Sequence, residues 1–173
     1  MDKIYFSKTK ESAIIPSKQR EDAGYDFYAC FEEDFVEIKP HETKLVPTGI
    51  AGASSPDYYL QIEERGSTGS KGIKKSSGVI DSGYRGEIFI AISNINDKTL
   101  FISKLTEEEL STSYPQVIHR DIHKSYIIYP YNKAIAQGVI HRVFDLEVEE
   151  LPYDKLKAIK SNRGVGILGS SNK

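Results

Sequence analysis

The segment with the clearest chemical content is an aspartate-containing turn at residues 78–86, with the sequence GVIDSGYRG. An apolar strand end leads into an Asp-Ser-Gly turn, which an aromatic residue and an arginine follow. Aspartate and glycine favour tight hairpins for backbone reasons alone, so the pattern also suits a hairpin without a ligand. As a functional site, the hairpin would present backbone donors and acceptors to a planar base. Asp81 would then act as a general base at its mouth, and Tyr84 would pack flat against a sugar.

A second segment, ERGSTGSKG at residues 64–72, has residue types that bind phosphate. Its small residues let backbone N–H groups approach phosphate oxygens, and Arg65 adds a fork of charged donors. Loops rich in glycine, serine and threonine usually only turn the chain, and the spacing is not that of a P-loop. This segment therefore predicts a phosphate site only in combination with others.

Three further segments carry polar residues in places that need an explanation. Asp26 lies inside the aromatic stretch AGYDFYA, where a carboxylate is costly unless it is paired or faces a cation. Gln137 is the one amide of the strand-like stretch IAQGVI, and simple solvent exposure would also account for it. The stretch RGVGILGSS, at residues 163–171, is rich in glycine and has one arginine and two hydroxyl groups.

In this order, the five segments resemble the five motifs of the homotrimeric dUTPase family, in a phage-type variant with an insertion before motif four. The resemblance runs from about residue 23 to residue 171, and the hairpin pattern I-D-x-x-Y-R-G is its most specific part. It implies a distorted jelly-roll subunit of the β-clip barrel type, and a homotrimer whose three active sites are each built from three chains. It also implies Mg²⁺-dependent hydrolysis of dUTP to dUMP and pyrophosphate, which limits uracil in DNA and supplies dUMP for dTMP synthesis.

By this resemblance, Asp81 accepts a proton from the water that attacks the α-phosphorus, and Gln137 helps to orient that water. Tyr84 packs on the deoxyribose where a 2′-hydroxyl group would clash, which excludes UTP. The backbone around residues 79–84 contacts the uracil edge and leaves no room for a 5-methyl group, which excludes dTTP. The resemblance thus assigns base and sugar selectivity to the hairpin.

The same resemblance assigns the triphosphate to other parts of the chain. Arg65 and Ser67 would hold phosphates, and Asp26 would bind the water shell of a Mg²⁺ ion coordinated by the triphosphate. Arg163, on the arm of another subunit, would close over the γ-phosphate. The full substrate-binding set comprises Arg65, Gly66, Ser67, Lys75, Gly78, Val79, Ile80, Tyr84, Gln137, Arg163, Leu168, Gly169 and Ser170.

The sequence departs from the family's pattern in four places. Glu64 and Gly66 stand where the family usually has proline and serine. Lys75 replaces a frequent asparagine and adds a cation that could serve as an extra phosphate ligand. Motif four begins with Asn-Lys-Ala at residues 132–134 instead of Gly-Asp-Arg, and Leu168 replaces the aromatic residue that stacks on uracil. These changes keep open a second hypothesis, in which a dUTPase-like protein binds nucleotide or a partner without catalysis.

Two other function classes fit the segments less well. A dCTP deaminase shares the trimeric fold, but that family uses a glutamate-centred site and lacks the D-x-x-Y-R-G hairpin. A β-sandwich adhesin or lectin would have no reason for five ordered segments. Product analysis with dCTP and dUTP separates the two enzymes.

The elements that must position these residues are short β-strands. At residues 58–63 and 87–92, apolar side chains alternate with others, as in strands with one buried face. Further strands are predicted at residues 4–6, 35–38, 44–50, 100–103, 126–129 and 135–149, and short helical turns at residues 106–111 and 154–161. Many short strands separated by turn signals predict an all-β sandwich or barrel.

Two stretches fall outside this pattern. Residues 106–129 form an insertion that we interpret as a surface subdomain and as a site for a protein partner. Within it, His119 and His123 have a spacing that could bind zinc, but no third ligand accompanies them, so a solvated pair is the better interpretation. Residues 160–173 are rich in glycine and serine and predict a flexible arm that follows a single β domain at residues 1–159.

The composition is that of an ordinary globular domain of 173 residues with a net charge of −2 and one cysteine, Cys30. A single cysteine excludes an internal disulfide and fits a reducing compartment, and Cys30 is predicted to be a small buried residue. No apolar run approaches the roughly 18 residues of a membrane span, and the N-terminus lacks the layout of a signal peptide. We therefore expect a cytoplasmic protein that binds neither membranes nor nucleic acid and holds polyanions through a local basic cluster or a metal ion.

Overall fold

The computed structural model describes residues 3–76, 78–118, 126–162 and 164–165, and the chain divides into two units, Met1–Val143 and Phe144–Lys173. Within the described residues, the strands of the first unit are β1 (Tyr5–Lys8), β2 (Gly24–Phe27), β3 (Phe35–Ile38), β4 (Thr43–Pro47), β5 (Ile50–Ala53), β6 (Tyr58–Glu63), β7 (Ile73–Lys75), β8 (Val79–Ile80), β9 (Phe89–Asn94), β10 (Thr99–Ser103), β11 (Tyr126–Pro130) and β12 (Ala136–Arg142). Its helices are α1 (Gly66–Gly69), α2 (Glu107–Ser113) and α3 (Pro115–Ile118), and the second unit contains α4 (Tyr153–Ala158). The predominance of short strands confirms the all-β prediction.

The strands of the first unit pair into four sheets in the described part of the chain. Their orders are β1–β5, β11–β10–β3, β2–β12–β6–β8 and β4–β9–β7. Strands β10 and β11 are parallel, and the other pairings are antiparallel. Neighbours such as β2 and β12 are far apart in sequence, as the long connections of a jelly roll require. Among these residues the sheets do not join into a closed barrel, so the fold is of the jelly-roll type without barrel closure.

The isoleucines at every second position of residues 88–92 lie in the core. Ile88, Ile90 and Ile92 are each 1% exposed, whereas Phe89 between them is 42% exposed. Cys30 is buried in the same apolar cluster, as predicted. Because successive side chains of a strand point to opposite faces, the faces turned away from the core remain available for polar residues.

The strand predicted at residues 44–50 is in fact two strands, β4 and β5. The chain turns between them at Thr48 and Gly49, where Gly49 has a φ of 66°, a conformation that residues with a side chain rarely adopt. The Thr48 hydroxyl donates a hydrogen bond of 2.6 Å to the carbonyl oxygen of Ile88, which holds the turn against the core. Pro47 and Gly49, two residue types that favour turns, were the sequence signal for this break.

The long strand predicted at residues 135–149 is wrong beyond residue 142. Strand β12 pairs with β6 from Gln137 to Arg142, and Arg142 lies opposite Tyr58, the first residue of β6. One more backbone hydrogen bond follows, from the Val143 N–H to the carbonyl oxygen of Asp57 at 2.7 Å. The strand ends there, because Asp57 lies in the turn that precedes β6. Residues 144–150 continue the alternation of apolar and acidic side chains without forming a described strand.

The insertion contains a small apolar core of its own. Leu110 of α2 and Ile118 of α3 pack with Phe101 of β10, and all three are buried. Helix α2 begins with a capping box, in which the Thr106 hydroxyl accepts from the Glu109 backbone and the Glu109 carboxylate accepts from the Thr106 backbone. The hydrogen bonds from the Thr106 backbone and hydroxyl lower the pKa of Glu109 below its usual value. The subdomain is therefore organised by local capping and by packing on the sheet.

The helical turn predicted at residues 106–111 is present as α2, whereas the four-residue helix α3 was too short to give a periodic signal. His119 and His123 lie outside the described residues, and their interpretation as a solvated pair stays a prediction. The same holds for the insertion as a site for a protein partner.

The second unit contains α4, which corresponds to the helical turn predicted at residues 154–161. Within it, the Lys157 ammonium lies 2.7 Å from a carboxylate oxygen of Asp154 and 4.8 Å from the centre of the Tyr153 ring. The predicted boundary between β domain and arm, at residue 159, stays a prediction. Of the helices described above, none is long and apolar enough to cross a membrane.

Candidate active site

One sheet, β2–β12–β6–β8, carries four of the residues that the sequence selects, Asp26, Gln137, Val79 and Ile80. Asp26 of β2 lies directly opposite Gln137 of β12, and Gln137 lies opposite Glu63 of β6. Directly opposite residues of neighbouring strands project to the same face of a sheet. The three polar side chains therefore meet at one end of the sheet, on the face opposite to that of the buried Ile62 and Phe27.

Asp26 forms a two-pronged ion pair with Arg65. The Arg65 Nε lies 3.0 Å from Asp26 Oδ1, and Nη2 donates to Oδ2 at 3.4 Å. The remaining terminal nitrogen, Nη1, donates to the carbonyl oxygen of Ala134 at 3.2 Å. Both side chains are about one-third exposed. The pairing explains how a strand of large aromatic residues tolerates a carboxylate, as the sequence required.

The Gln137 amide is held in place rather than simply solvated. Its Nε2 donates a hydrogen bond of 2.8 Å to the carbonyl oxygen of Glu64. A Cβ at Gly24 would lie 2.9 Å from the Gln137 Cβ and from its Oε1, so the glycine makes room for this side chain. One N–H of the amide is thus used by the backbone, and the second N–H and the acceptor oxygen Oε1 remain for a ligand.

The segment after Arg65, predicted as a phosphate-binding loop, is a single helical turn, α1. The buried Thr68 donates its hydroxyl to the carbonyl oxygen of Arg65 at 2.9 Å, and the Gly69 N–H donates to the same oxygen at 2.9 Å. The first N–H groups of any helix have no acceptor within the helix. Gly66 and Ser67 are exposed at this end and would present theirs to a ligand.

Two glutamate–lysine pairs surround the start of this turn. Glu64 lies 3.0 Å from Lys74 and Glu63 lies 3.5 Å from Lys75, measured between carboxylate oxygen and ammonium nitrogen. A Cβ at Gly78 would lie 3.0 Å from the Lys75 nitrogen, so this lysine also touches the strand that leads into the hairpin. Glu63 and Lys74 were not among the sequence-selected residues. The sequence offered one indication of these ion pairs, namely two consecutive glutamates before Arg65 and two consecutive lysines ten residues further along the chain.

The aspartate-containing segment forms a tight turn but not the predicted β-hairpin, because among the described residues β8 pairs with β6, whereas the following strand, β9, pairs with β4 and β7. We call this turn at residues 78–86 the hairpin. Strand β8 pairs with β6, and the turn closes through a hydrogen bond of 3.0 Å from the Tyr84 N–H to the carbonyl oxygen of Asp81. The Arg85 guanidinium donates to the carbonyl oxygens of Ser82, at 2.5 Å, and Tyr84, at 3.0 Å. Asp81 is exposed, and Tyr84 is 46% exposed. The turn therefore presents both side chains to a ligand while backbone contacts hold its shape.

An open groove runs beside this turn. Its apolar flank includes Leu45 and Val79, which are 64% and 62% exposed and stand beside the carboxylate of Asp81. The lining residues are Leu45, Val79, Ile80, Asp81, Tyr84, Glu87, Ile88 and Phe89. An open groove with apolar walls and two acidic residues in its lining, Asp81 and Glu87, suits a planar ligand with a polar edge.

The hairpin and the residues predicted to bind phosphate lie at opposite ends of the sheet in one chain. In the register of β6 with β8, Leu60 faces Ile80, which places Asp81 level with Tyr59. Gln137 lies level with Glu63, four residues further along β6, or about 13 Å at roughly 3.3 Å per residue. Within one chain, the structure brings Asp26, Arg65, Gln137 and Lys75 together and keeps Asp81 and Tyr84 apart from them.

Four of the sequence-selected residues lie outside the described part of the chain. They are Arg163, Leu168, Gly169 and Ser170. Their assignment to an arm that closes over the substrate stays a prediction.

Asp26 fits a magnesium ion that arrives with its ligand. Among the described residues, no three or more histidine, cysteine, aspartate or glutamate side chains gather into a metal cage. Magnesium bound to a triphosphate keeps several waters and needs only one or two protein carboxylates. The partly exposed Asp26 carboxylate can accept hydrogen bonds from such waters beside the Arg65 guanidinium.

Comparisons of the sequence with known proteins all point to one protein family. The sequence model of the dUTPase family matches residues 10–106. A deoxyuridine 5'-triphosphate nucleotidohydrolase of Helicobacter pylori (strain P12) is 36% identical over 173 residues, which span 98% of this chain and 96% of the relative. The enzyme of the same name from Nautilia profundicola is 31% identical over 178 residues, which span 99% of both chains.

Solved structures show the same fold. A dUTPase variant of Staphylococcus bacteriophage 80alpha, with dUpNHpp, superposes with a TM-score of 0.72 at 22% identity and covers 99% of both chains. A dUTPase variant of phage phi11 of S. aureus, described for its structural Mg(II) ion, superposes with a TM-score of 0.65 at 21% identity and covers 86% of this chain and 96% of its own. At this identity the likeness supports the jelly-roll type of fold.

Proposed function

Because the chain belongs to the dUTPase family, and so hydrolyses dUTP to dUMP and pyrophosphate, we propose that its active sites are shared between the subunits of a homotrimer. The hairpin with Asp81 and Tyr84 would come from one subunit, and the phosphate-binding end with Arg65 and Gln137 from another. The observation that carries this proposal is the distance of about 13 Å along β6 between the two ends, which a single hydrogen-bonded water cannot bridge. A neighbouring subunit can bring the missing half of the site to each hairpin.

Asp81 is the general base in this proposal. Its exposed carboxylate would accept the proton of the water that attacks the α-phosphorus, while pyrophosphate leaves. The Gln137 Oε1 of a second subunit would accept a hydrogen bond from this water, while one N–H of the same amide holds the side chain on the carbonyl oxygen of Glu64. A positioned carboxylate base contributes ~10²–10⁴ in rate.

Arg65, Gly66, Ser67 and Lys75 hold the phosphates. Of the five donors of an arginine, at least two of Arg65 remain for phosphate oxygens after its contacts with Asp26 and the carbonyl oxygen of residue 134. Gly66 and Ser67 add backbone N–H groups at the start of α1. The contact of 3.5 Å between Lys75 and its glutamate partner is long for an ion pair, so a phosphate oxygen can compete for the ammonium.

Asp26 would hold a magnesium ion through the ion's water shell. When bound, the ion would neutralise part of the charge that develops on the leaving pyrophosphate. The phi11 dUTPase, which shares the fold, is described with a structural Mg(II) ion. The ion pair of Asp26 with Arg65 would keep the carboxylate beside the phosphates that carry the metal.

The hairpin groove would bind the base and the sugar of the nucleotide and select between nucleotides. The backbone of Gly78, Val79 and Ile80 would pair with the uracil edge, and Tyr84 would pack on the deoxyribose where a 2′-hydroxyl group has no room. Arg163, on the arm of another subunit, would close over the γ-phosphate. Leu168, Gly169 and Ser170 would complete the cover over the base and exclude water during the reaction.

Substrate selectivity and metal dependence test the whole proposal. With Mg²⁺ present, kcat/KM for pyrophosphate release from dUTP is expected to exceed that from dCTP, dTTP and UTP at least ~100-fold, because each analogue leaves a polar group unpaired or adds a clash. Chelation by EDTA should remove the activity, and added Mg²⁺ should restore it. Anion-exchange chromatography of the products checks both. Formation of dUTP from dCTP would instead identify a deaminase, and comparable rates with UTP would contradict the role of Tyr84.

Arg65→Lys is expected to raise KM for dUTP at least ~10-fold, because a single ammonium cannot bridge Asp26, a backbone carbonyl and a phosphate as the planar fork does. The positive charge is kept, so the change isolates the geometry of the fork. Steady-state kinetics provide the measurement, and the melting temperature shows whether the fold is intact. A wild-type KM in the folded variant would contradict a phosphate contact by Arg65.

A further inference from the structure

The ring of Tyr84 folds back over the hairpin and occupies the space that a side chain at residue 86 would fill. The Tyr84 hydroxyl donates a hydrogen bond of 3.0 Å to the carbonyl oxygen of Glu87. A Cβ built on Gly86 would lie 2.5 Å from the hydroxyl oxygen, 2.7 Å from Cζ and 3.1 Å from Cε2 of this ring. We propose that Gly86 is a positioning residue for sugar selectivity, because only its missing side chain lets the Tyr84 ring reach this pose.

Space, rather than backbone conformation, is what glycine supplies at this position. The described glycines with positive φ are Gly49, Gly72 and Gly164, and Gly86 is not one of them. An alanine could therefore adopt the backbone conformation of Gly86. It could not do so without moving the phenol end of Tyr84, since each of the three distances is shorter than ordinary contact.

The acceptor of the tyrosine hydroxyl belongs to a fixed part of the fold. The Glu87 carboxylate accepts the N–H of Gly49 at 2.8 Å and the hydroxyl of Thr9 at 3.3 Å. The next residue, Ile88, is buried, and its N–H donates to the carbonyl oxygen of Ile50 at 2.7 Å. The carbonyl oxygen of Glu87 is thus tied to the core from both sides. It gives the exposed ring one defined position.

A displaced ring would change selectivity more than binding. The inference rests on the proposed function, in which Tyr84 leaves no room for a 2′-hydroxyl group. If a methyl group at residue 86 pushes the ring away from its pose, the contact with deoxyribose weakens and the space for a hydroxyl group opens. Activity with dUTP should therefore fall while activity with UTP falls less or rises.

The test compares kcat/KM for dUTP with kcat/KM for UTP in four variants of the full chain. Gly86→Ala is expected to lower this ratio at least ~10-fold, since a displacement of about 1 Å at a reacting site has effects of this size or larger. Gly52→Ala in β5 is the control outside the hairpin, because a Cβ there would meet its nearest atoms at 3.6 Å, an ordinary contact distance. Its ratio should stay within about twofold of wild type, because the substitution needs no movement of the Tyr84 ring.

Tyr84→Ala and the double variant Tyr84→Ala/Gly86→Ala separate the inference from the proposed function. If Gly86 acts through the ring, the double variant has the ratio of Tyr84→Ala alone, which is strong non-additivity. A wild-type ratio in Gly86→Ala, or effects that multiply in the double variant, would overturn the inference. A wild-type ratio in Tyr84→Ala would instead refute the proposed role of the tyrosine itself.

Folding of the variants gives a second readout. Circular dichroism and light scattering show whether each variant is a folded oligomer. If Gly86→Ala alone fails to fold, the double variant should fold, because removing the ring removes the clash. If neither variant folds, the backbone and not the Tyr84 ring is what requires glycine at residue 86. This result would contradict the inference.

Discussion

With asparagine in place of Asp81, the enzyme should bind its substrate almost normally and turn it over at least ~100-fold more slowly. Asparagine has the shape of aspartate but cannot accept a proton from water. The structure gives the substitution little else to disturb, because Asp81 is exposed and its backbone oxygen, not its carboxylate, closes the turn with Tyr84. Loss of turnover with retained binding would therefore isolate the proton-transfer role.

Two measurements check this result. Calorimetry with dUpNHpp and Mg²⁺ gives the dissociation constant, and single-turnover kinetics with dUTP gives the rate of the chemical step. Asp97→Asn is a matched control, since Asp97 is a nearly fully exposed carboxylate that contacts only His41 among the described residues. Its kinetics should be those of the wild type. Turnover of Asp81→Asn within a few-fold of wild type would remove Asp81 from the mechanism.

Mixed oligomers of two inactive chains should regain activity if the two halves of each site come from different subunits. One chain would carry Asp81→Asn, and the other would carry Arg65→Ala together with Gln137→Ala. In a cyclic trimer with head-to-tail contacts, every mixed trimer contains one junction at which an intact hairpin meets an intact phosphate-binding end. Random assembly of equal amounts makes three quarters of the trimers mixed, so about one quarter of wild-type activity is expected.

Co-expression with two different affinity tags isolates the mixed trimers and allows their activity per site to be measured. Each parent chain, expressed alone with the same tags, is the control and should remain inactive. If one chain supplied a complete site, no mixed trimer would contain an intact one. Activity of the mixtures at the level of the parents would therefore contradict shared sites.

Local features of the hairpin could be predicted from the sequence because the turn chemistry is contiguous. Asp-Ser-Gly followed by an aromatic residue predicts a tight turn with an exposed carboxylate, and Asp81 has this arrangement, although the flanking strands β8 and β9 pair with other strands instead of with each other. The burial of alternate isoleucines at residues 88–92 follows for the same reason. In each case the deciding interactions lie within a few residues of one another.

Long-range register could not be predicted. The cost of a carboxylate at Asp26 required a cation, but only the pairing of β2 with β12 and the position of α1 identify Arg65 as that cation. Similarly, the family resemblance implies that Asp81 and Gln137 contact the same water molecule. The register of β6 with β8 and β12 nevertheless separates the two residues within a chain. A strand pattern specifies which face is buried but not which residue stands opposite, and one step of slippage inverts every face.

The ion pair of Asp26 with Arg65 also bears on the affinity of the site. Fixing a long, flexible side chain when a ligand binds costs about 0.5–1.5 kcal/mol of conformational entropy. Arg65 is already held by a carboxylate and a backbone oxygen before any nucleotide arrives. The guanidinium is thus already ordered in the folded chain. The free energy of triphosphate binding therefore does not include the entropy cost of immobilising the Arg65 side chain.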